Sequence, residues 1–124
     1  MNSGVNTINL AVRFLMELFA LWSVGQWAYR FNDNWTKYIW AIGFPLICAV
    51  IWGLFNVAGD PSRSGNAPVP VPGIVRLAIE LAIFALACYA LNATGHRMLS
   101  VGFAILTFLH YIVSYDRVLW LLKQ

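Results

Sequence analysis

Residues 74–94 read IVRLAIELAIFALACYALNAT, 21 residues in which only Arg76 and Glu80 carry charge. A helix rises about 1.5 Å per residue, and about 20 largely apolar residues cross the roughly 30 Å hydrocarbon core of a bilayer. Three further stretches meet that requirement, at 8–29, 37–58 and 98–121. Between them lie Asn32-Asp33-Asn34, the connection 59–73, and Gly95-His96-Arg97, all rich in turn residues. The short first and third connections make their flanking helices antiparallel neighbours. The sequence therefore predicts an all-α polytopic membrane protein. It would be a single domain over residues 1–124, an up-down bundle of four transmembrane helices with both termini on one side.

Composition leads to the same class. The chain is 60% hydrophobic and 15% aromatic, only 10% charged, and its mean hydropathy is +0.69. An ordinary soluble domain is about 25% charged, so a water-facing surface cannot be assembled from these side chains. A soluble enzyme, a disordered tail and a nucleic-acid-binding module are all disfavoured. The net charge of +3 comes from basic residues scattered between Arg13 and Lys123, with no patch to hold a nucleic acid. In a membrane chain those residues report orientation instead. Arg63, Lys123, Arg13, Arg76 and Arg117 fall on the terminal side, and Arg30, Lys37 and Arg97 on the other, which places the termini in the cytoplasm. The first stretch does not read as a removable signal, because residues 1–9 carry no Lys or Arg and no small-residue cleavage site follows.

The 59–73 connection contains Pro68-Val69-Pro70-Val71-Pro72, which favours an extended, stiff strap across one face of the bundle. Cys48 and Cys88 fall mid-helix with no Cys-x-x-Cys, so they read as small buried hydrophobes rather than redox groups. Trp22, Trp27, Trp35, Trp40, Trp52 and Trp120 lie mostly towards helix ends, where an interfacial aromatic belt is expected. No metal-ligand spacing and no glycine-rich phosphate loop occurs, so neither a metal nor a cofactor is expected.

The charges sit in an internal repeat. Val12-Arg13-Phe14-Leu15-Met16-Glu17-Leu18 recurs as Val75-Arg76-Leu77-Ala78-Ile79-Glu80-Leu81. Both copies open an odd-numbered helix, and those helices run the same way, so the halves would form a 2+2 parallel repeat about an axis along the membrane normal. A spacing of four brings each Arg and Glu together on one helix face, although Arg before Glu is the weaker order for an isolated helix. Asn6, Asn9, Arg13 and Glu17 make one polar stripe on the first helix. Thr107, His110, Ser114 and Arg117 make another on the fourth, whose second half meets the starts of helices one and three. Trp52 and Asn56 arrive at that level from the second helix, and Asp116 lies beside Arg117. Nearly all the intramembrane polarity thus gathers in one leaflet. Charges at depth cost about 2.5–3.5 kcal/mol each on insertion scales and suggest a functional site by default. Three arginines against Glu17, Glu80 and Asp116 could equally close into a neutral network that fixes helix register.

Four groups of these residues resemble the YrdB-like family of small bacterial membrane proteins of unknown function. They are Arg13-Phe14-x-x-Glu17-Leu18, Pro45 with Trp52-Gly53-x-Phe55, Arg76-x-x-x-Glu80 with Phe84, and His110-Tyr111-x-x-Ser114-Tyr115-Asp116-Arg117. The resemblance covers nearly the whole chain and implies residence in the bacterial plasma membrane. It supplies no catalytic residues. The 59–73 strap is the one departure, longer than the Pro-containing link the family pattern implies.

Three functional classes follow. The leading one is a site for a small polar or ionic solute in the lipid bilayer, drawn from Arg13, Glu17, Arg76, Glu80, His110, Ser114, Asp116, Arg117, Trp52 and Asn56. In it the glutamates take a proton or cation and His110 titrates. Transport through so small a chain would call for a homodimer. The rival is a non-catalytic structural or accessory membrane subunit whose charges only fix helix packing. The third is a membrane-embedded enzyme acting on a lipid or quinone, for which His110, Tyr111 and Tyr115 are the reactive groups available.

Overall fold

The computed structural model describes residues 3–59 and 67–124, with side chains from residue 7 onward. Residues 60–66 of the strap, Arg63 among them, and the side chain of Asn6 lie outside the described residues. The described chain is all-α apart from one short strand pair: α1 is Ser3–Ala28, α2 Thr36–Leu54, α3 Gly73–Ala93, α4 Arg97–Val113 and α5 Tyr115–Leu122. The segments Thr7–Ala28, Thr36–Leu54 and Gly73–Ala93 are each long and apolar enough to cross a membrane; α4 and α5 reach that length only together.

The helices form a row rather than a square. α1 packs along α2 on one side and α3 on the other, α4 packs along α3, and the pairs α1–α4 and α2–α3 touch only briefly. Cross-helix contacts fix the directions. Arg13 meets Glu80 and Gln26 meets Thr94, so α1 and α3 run parallel. Ser100 bonds the Cys88 carbonyl and Tyr111 bonds Glu80, so α4 runs against α3. The buried core follows the α1–α3 seam through Met16, Ala20, Val24, Phe84, Ala87 and Leu91, with Cys48 and Trp52 from α2 and Phe103 from α4. Large aliphatic and aromatic residues cover the outside instead, including Ile42, Leu46, Leu81, Ile105 and Phe108. That inside-out distribution suits a lipid-facing surface.

Turn chemistry sets the helix ends. α3 closes with Gly95 at φ 83°, the left-handed conformation that glycine adopts without Cβ strain. His96 N–H then bonds the Leu91 carbonyl at 2.8 Å and Gly95 N–H the Asn92 carbonyl at 3.3 Å, so two carbonyls orphaned by the helix end find donors. After α1, Asn34 Oδ1 accepts from the Thr36 amide at 3.1 Å and turns the chain into α2. Pro45 lies inside α2 and supplies no N–H to the carbonyl one turn earlier, that of Ala41. Gly25 of α1 sits over that carbonyl, and a Cβ there would approach it to 3.0 Å.

Two expected helices are shorter than the sequence suggests. The second was expected to reach residue 58 but ends at Leu54, where Phe55 leaves the helical region. Phe55–Asn56 pairs parallel with Val69–Pro70, so this part of the strap is extended as anticipated and ties to the end of α2. The fourth helix was expected to be continuous from 98 to 121. It breaks at Ser114, and α5 turns 72° away from α4. No glycine or proline marks the break. Its cause is tertiary: Asn9 Nδ2 donates to Ser114 Oγ at 3.2 Å, and beyond the bend Leu121 packs on Gly73 at the start of α3.

Gly73 therefore allows α5 to dock, since a methyl there would overlap the Leu121 backbone. Gly73→Ala is expected to cost about 1–3 kcal/mol or more through overpacking, seen as a lower thermal midpoint in detergent. Gly25→Ala should also destabilise, less severely. Gly43→Ala is the control: no atom lies within 4 Å of its Cβ position, and alanine in a helix interior should gain about 0.5–1 kcal/mol over glycine.

Candidate functional site

One carboxylate organises the polar interior. Glu80, on the second turn of α3, is fully buried. Its Oε1 accepts from the Tyr111 hydroxyl at 2.8 Å and from Arg117 Nη1 at 3.0 Å. Its Oε2 accepts from Arg76 Nε at 2.8 Å and Arg117 Nη2 at 2.7 Å. Arg13 Nη2 adds an ion pair to Oε1 at 2.9 Å, with its N–H directed off the hydrogen-bond line. A carboxylate offers about four lone-pair sites, and these contacts occupy them. The two-pronged Arg117 contact is the strongest geometry of the set, because the guanidinium fork matches both oxygens at once.

Each partner comes from a different element. Arg13 lies on α1 and pairs with its own Glu17 at 3.2 Å, and its guanidinium carbon stands 5.5 Å from the Phe84 ring centre and 5.7 Å from that of Tyr111. These distances permit cation–π attraction. Arg76, one turn before Glu80, also sends Nη1 to the carbonyls of Trp52 at 2.7 Å and Phe55 at 3.0 Å. It thereby satisfies carbonyls that the end of α2 leaves open, at the negative pole of that helix. Tyr111 comes from α4, and Arg117 is delivered by α5 after the bend.

The Arg–Glu spacing of four thus produces the two pairs expected from the repeat. The remaining expected residues divide. Trp52 and Asn56 are buried beside Arg76; Asn56 Nδ2 donates to the Gly53 carbonyl at 2.6 Å, while Asn56 Oδ1 and Trp52 Nε1 have no hydrogen-bond partner among the described residues. His110 is buried with its ring 5.8 Å from that of Tyr111. Ser114 accepts from Asn9 at the bend and does not reach Glu80. Asp116 is exposed, so the balance of three arginines against three acids is not built as anticipated. The bend explains this: it separates Arg117 from the α4 stripe and turns Asp116 outward. Thr107 bonds back to the Phe103 carbonyl within α4 at 2.8 Å and also stays out of the cluster.

Tyr111 is the member that the polar-stripe reading left outside the solute site. Its one-residue offset from His110 puts its Cα on another part of the α4 wheel, and only the long phenol carries its hydroxyl to Glu80. A second polar knot was missed at the far end of α1 and α3. There Gln26 Nε2 donates to Thr94 Oγ1 at 2.8 Å, and Thr94 Oγ1 lies 3.0 Å from His96 Nδ1. Among the described residues, no group of three His, Cys, Asp or Glu side chains could hold a metal ion.

Comparison with known proteins adds a family. The family model described as "Protein of unknown function (DUF2568)" matches residues 11–108. "Uncharacterized protein YrdB" of Bacillus subtilis (strain 168) is 41% identical over 120 residues, covering 97% of this chain and 98% of that protein. The two chains are thus nearly equal in length, which speaks against the 59–73 strap being additional length. No solved structure matches. The family model spans the positions of Arg13, Glu17, Trp52, Asn56, Arg76 and Glu80, and the chain belongs to the YrdB-like family of unknown function, DUF2568.

Proposed function

We propose that this chain is a non-catalytic structural or accessory protein of the bacterial plasma membrane, in which the Glu80 cluster clamps the helices together inside one leaflet. The observation that carries the reading is the saturation of Glu80: both oxygens are engaged by donors from α1, α3, α4 and α5. A carboxylate so occupied has no site left for a transported proton or cation. The chain would cross the bilayer four times, with α4 and the bend together making the fourth crossing. Its helix packing supports the 2+2 repeat, since exchanging α1 with α3 and α2 with α4 leaves the pattern of contacts unchanged. The termini would face the cytoplasm, since five of the eight basic residues lie in or next to that side of the membrane.

A second reading, that the cluster binds a small polar or ionic solute, is favoured by Trp52 Nε1 and Asn56 Oδ1, which have no partner among the described residues. Each such buried group costs about 1–3 kcal/mol if nothing meets it, and a solute could supply both a donor and an acceptor there. Transport and a homodimer belong to this reading. The enzyme reading has less support, because the Tyr111 hydroxyl is committed to Glu80.

Thermal unfolding in detergent separates the first two. Glu80→Gln leaves three guanidiniums facing a neutral amide and should cost about 3–5 kcal/mol, as breaking a buried ion pair does. Arg117→Lys, which loses the fork but keeps the charge, should fall between that variant and wild type. Glu17→Gln should cost about 1 kcal/mol or less, because the Glu17 side chain is 15% exposed where Glu80 is 0%. Glu80→Gln melting at or above wild type would sink the clamp. For the solute reading, a screen of small anions, cations and amides is run on wild type and Asn56→Ala. A compound that raises the wild-type midpoint but not that of Asn56→Ala would establish it.

A further inference from the structure

We propose that α5 is an interfacial helix, lying along the headgroup boundary of one leaflet and closing over a groove that an acyl chain of that leaflet fills. The inference rests on the membrane reading above and concerns a segment that the sequence assigned to a spanning helix. Three observations carry it.

The first is the direction of α5. A bend of 72° away from α4 leaves it about 18° from the bilayer plane when α4 stands along the normal. The second is the sorting of its side chains into three faces, each about a third of the helix wheel. Arg117 and Leu121 face the protein: Arg117 reaches Glu80, and Leu121 is fully buried with its backbone against Gly73. Tyr115, Leu119 and Leu122 are 59%, 51% and 54% exposed on a second face. Asp116 and Lys123 share the third with Trp120, an aromatic residue with one apolar and one polar edge that suits the headgroup level. A helix with one face towards protein, one apolar and one charged fits a boundary where protein, hydrocarbon and water meet.

The third observation is the groove in the crook of the bend. Leu77 and Leu81 of α3, Phe108 and Ile112 of α4, and Val118 and Leu119 of α5 line a space of about 390 Å³. Its walls continue into the exposed apolar faces of α3 and α4, where Leu81, Phe108 and Ile112 stand outward. It therefore opens sideways, at hydrocarbon level, against the apolar face of α5. The occupant that fits is the chain of a neighbouring lipid, since the groove is walled by apolar side chains and opens onto the exposed apolar faces of α3 and α4.

Nitroxide accessibility tests this in phosphatidylcholine vesicles. Single cysteines at Leu119, Leu122, Asp116 and Lys123, with Ile105 of α4 as reference, are labelled in a Cys48→Ala, Cys88→Ala background. All five positions are exposed, so the labels should not disturb packing. Labels at Leu119 and Leu122 should collide severalfold more with oxygen than with a water-soluble nickel chelate, at a shallower depth than Ile105. Labels at Asp116 and Lys123 should show the reverse preference. Nickel access at Leu119, Leu122, Asp116 and Lys123 alike would place α5 in water, and oxygen access at all four would bury it in hydrocarbon. Shielding of Leu119 and Leu122 from both reagents would mean that a second copy covers them. Each of these results overturns the inference. Nickel access at Ile105 as well would instead sink the membrane reading on which it rests.

Discussion

The carboxylate of Glu80 is the constraint on which the rest of the structure turns. It sits on α3 and is held by Arg13 of α1, Arg76 of its own helix, Tyr111 of α4 and Arg117 of α5. Arg76 carries the connection on to α2 by taking the carbonyls of Trp52 and Phe55. All five helices therefore have a group on one cluster. Hydrophobic burial cannot order helices in hydrocarbon, because lipid tails are as apolar as the side chains they would replace. Directed contacts must do so, and a saturated carboxylate specifies rotation, depth and partner together. Net stability is a separate matter, since a buried ion cluster gives back much of its attraction in desolvation.

The same constraint accounts for features that look unrelated. α2 stops at Leu54, where its backbone turns to pair with the strap and a side chain from α3 takes the carbonyls of Trp52 and Phe55. α4 breaks at Ser114 because Arg117 is held at Glu80 and Leu121 at Gly73, positions that a straight continuation would pass by. Gly73 has no side chain because α5 crosses it there. At the opposite end of α1 and α3, where the cluster does not reach, a smaller knot of Gln26, Thr94 and His96 repeats the device without a carboxylate.

Much of this was legible in the sequence, and the missing parts share a cause. The helices, their antiparallel connections and the two Arg–Glu pairs follow from hydropathy and from a spacing of four, both local quantities. The gathering of polarity at one end followed from counting residues along antiparallel helices. What could not be read was which charge meets which across helices. Arg13 and Arg76 occupy equivalent places in the repeat, yet one crosses to the neighbouring helix and the other to a helix end. The break at Ser114 has no glycine or proline to announce it, and so the stripe from Thr107 to Arg117 was drawn through a bend. Asp116 was placed in the network for the same reason, and Tyr111 fell outside the solute site because helical wheels track Cα directions and not the reach of a phenol.

The repeat itself explains the unfavourable order of its charges. Arg before Glu gains little along an isolated helix, so the two pairs are poor evidence of local stabilisation. In this order each arginine stands one turn nearer the helix start than its glutamate. On α3 that is the level at which α2 ends, so Arg76 can bond its own Glu80 and the carbonyls of Trp52 and Phe55 at once. Glu before Arg would put the guanidinium a turn deeper, towards the apolar core at Phe84 and Phe103 and away from the end of α2. On α1 the same order leaves Arg13 level with Glu80 and Tyr111. The two copies thus share one geometry and diverge in use. Glu80 lies on the helix flanked by both α1 and α4 and becomes the centre, while Glu17 stays at the edge.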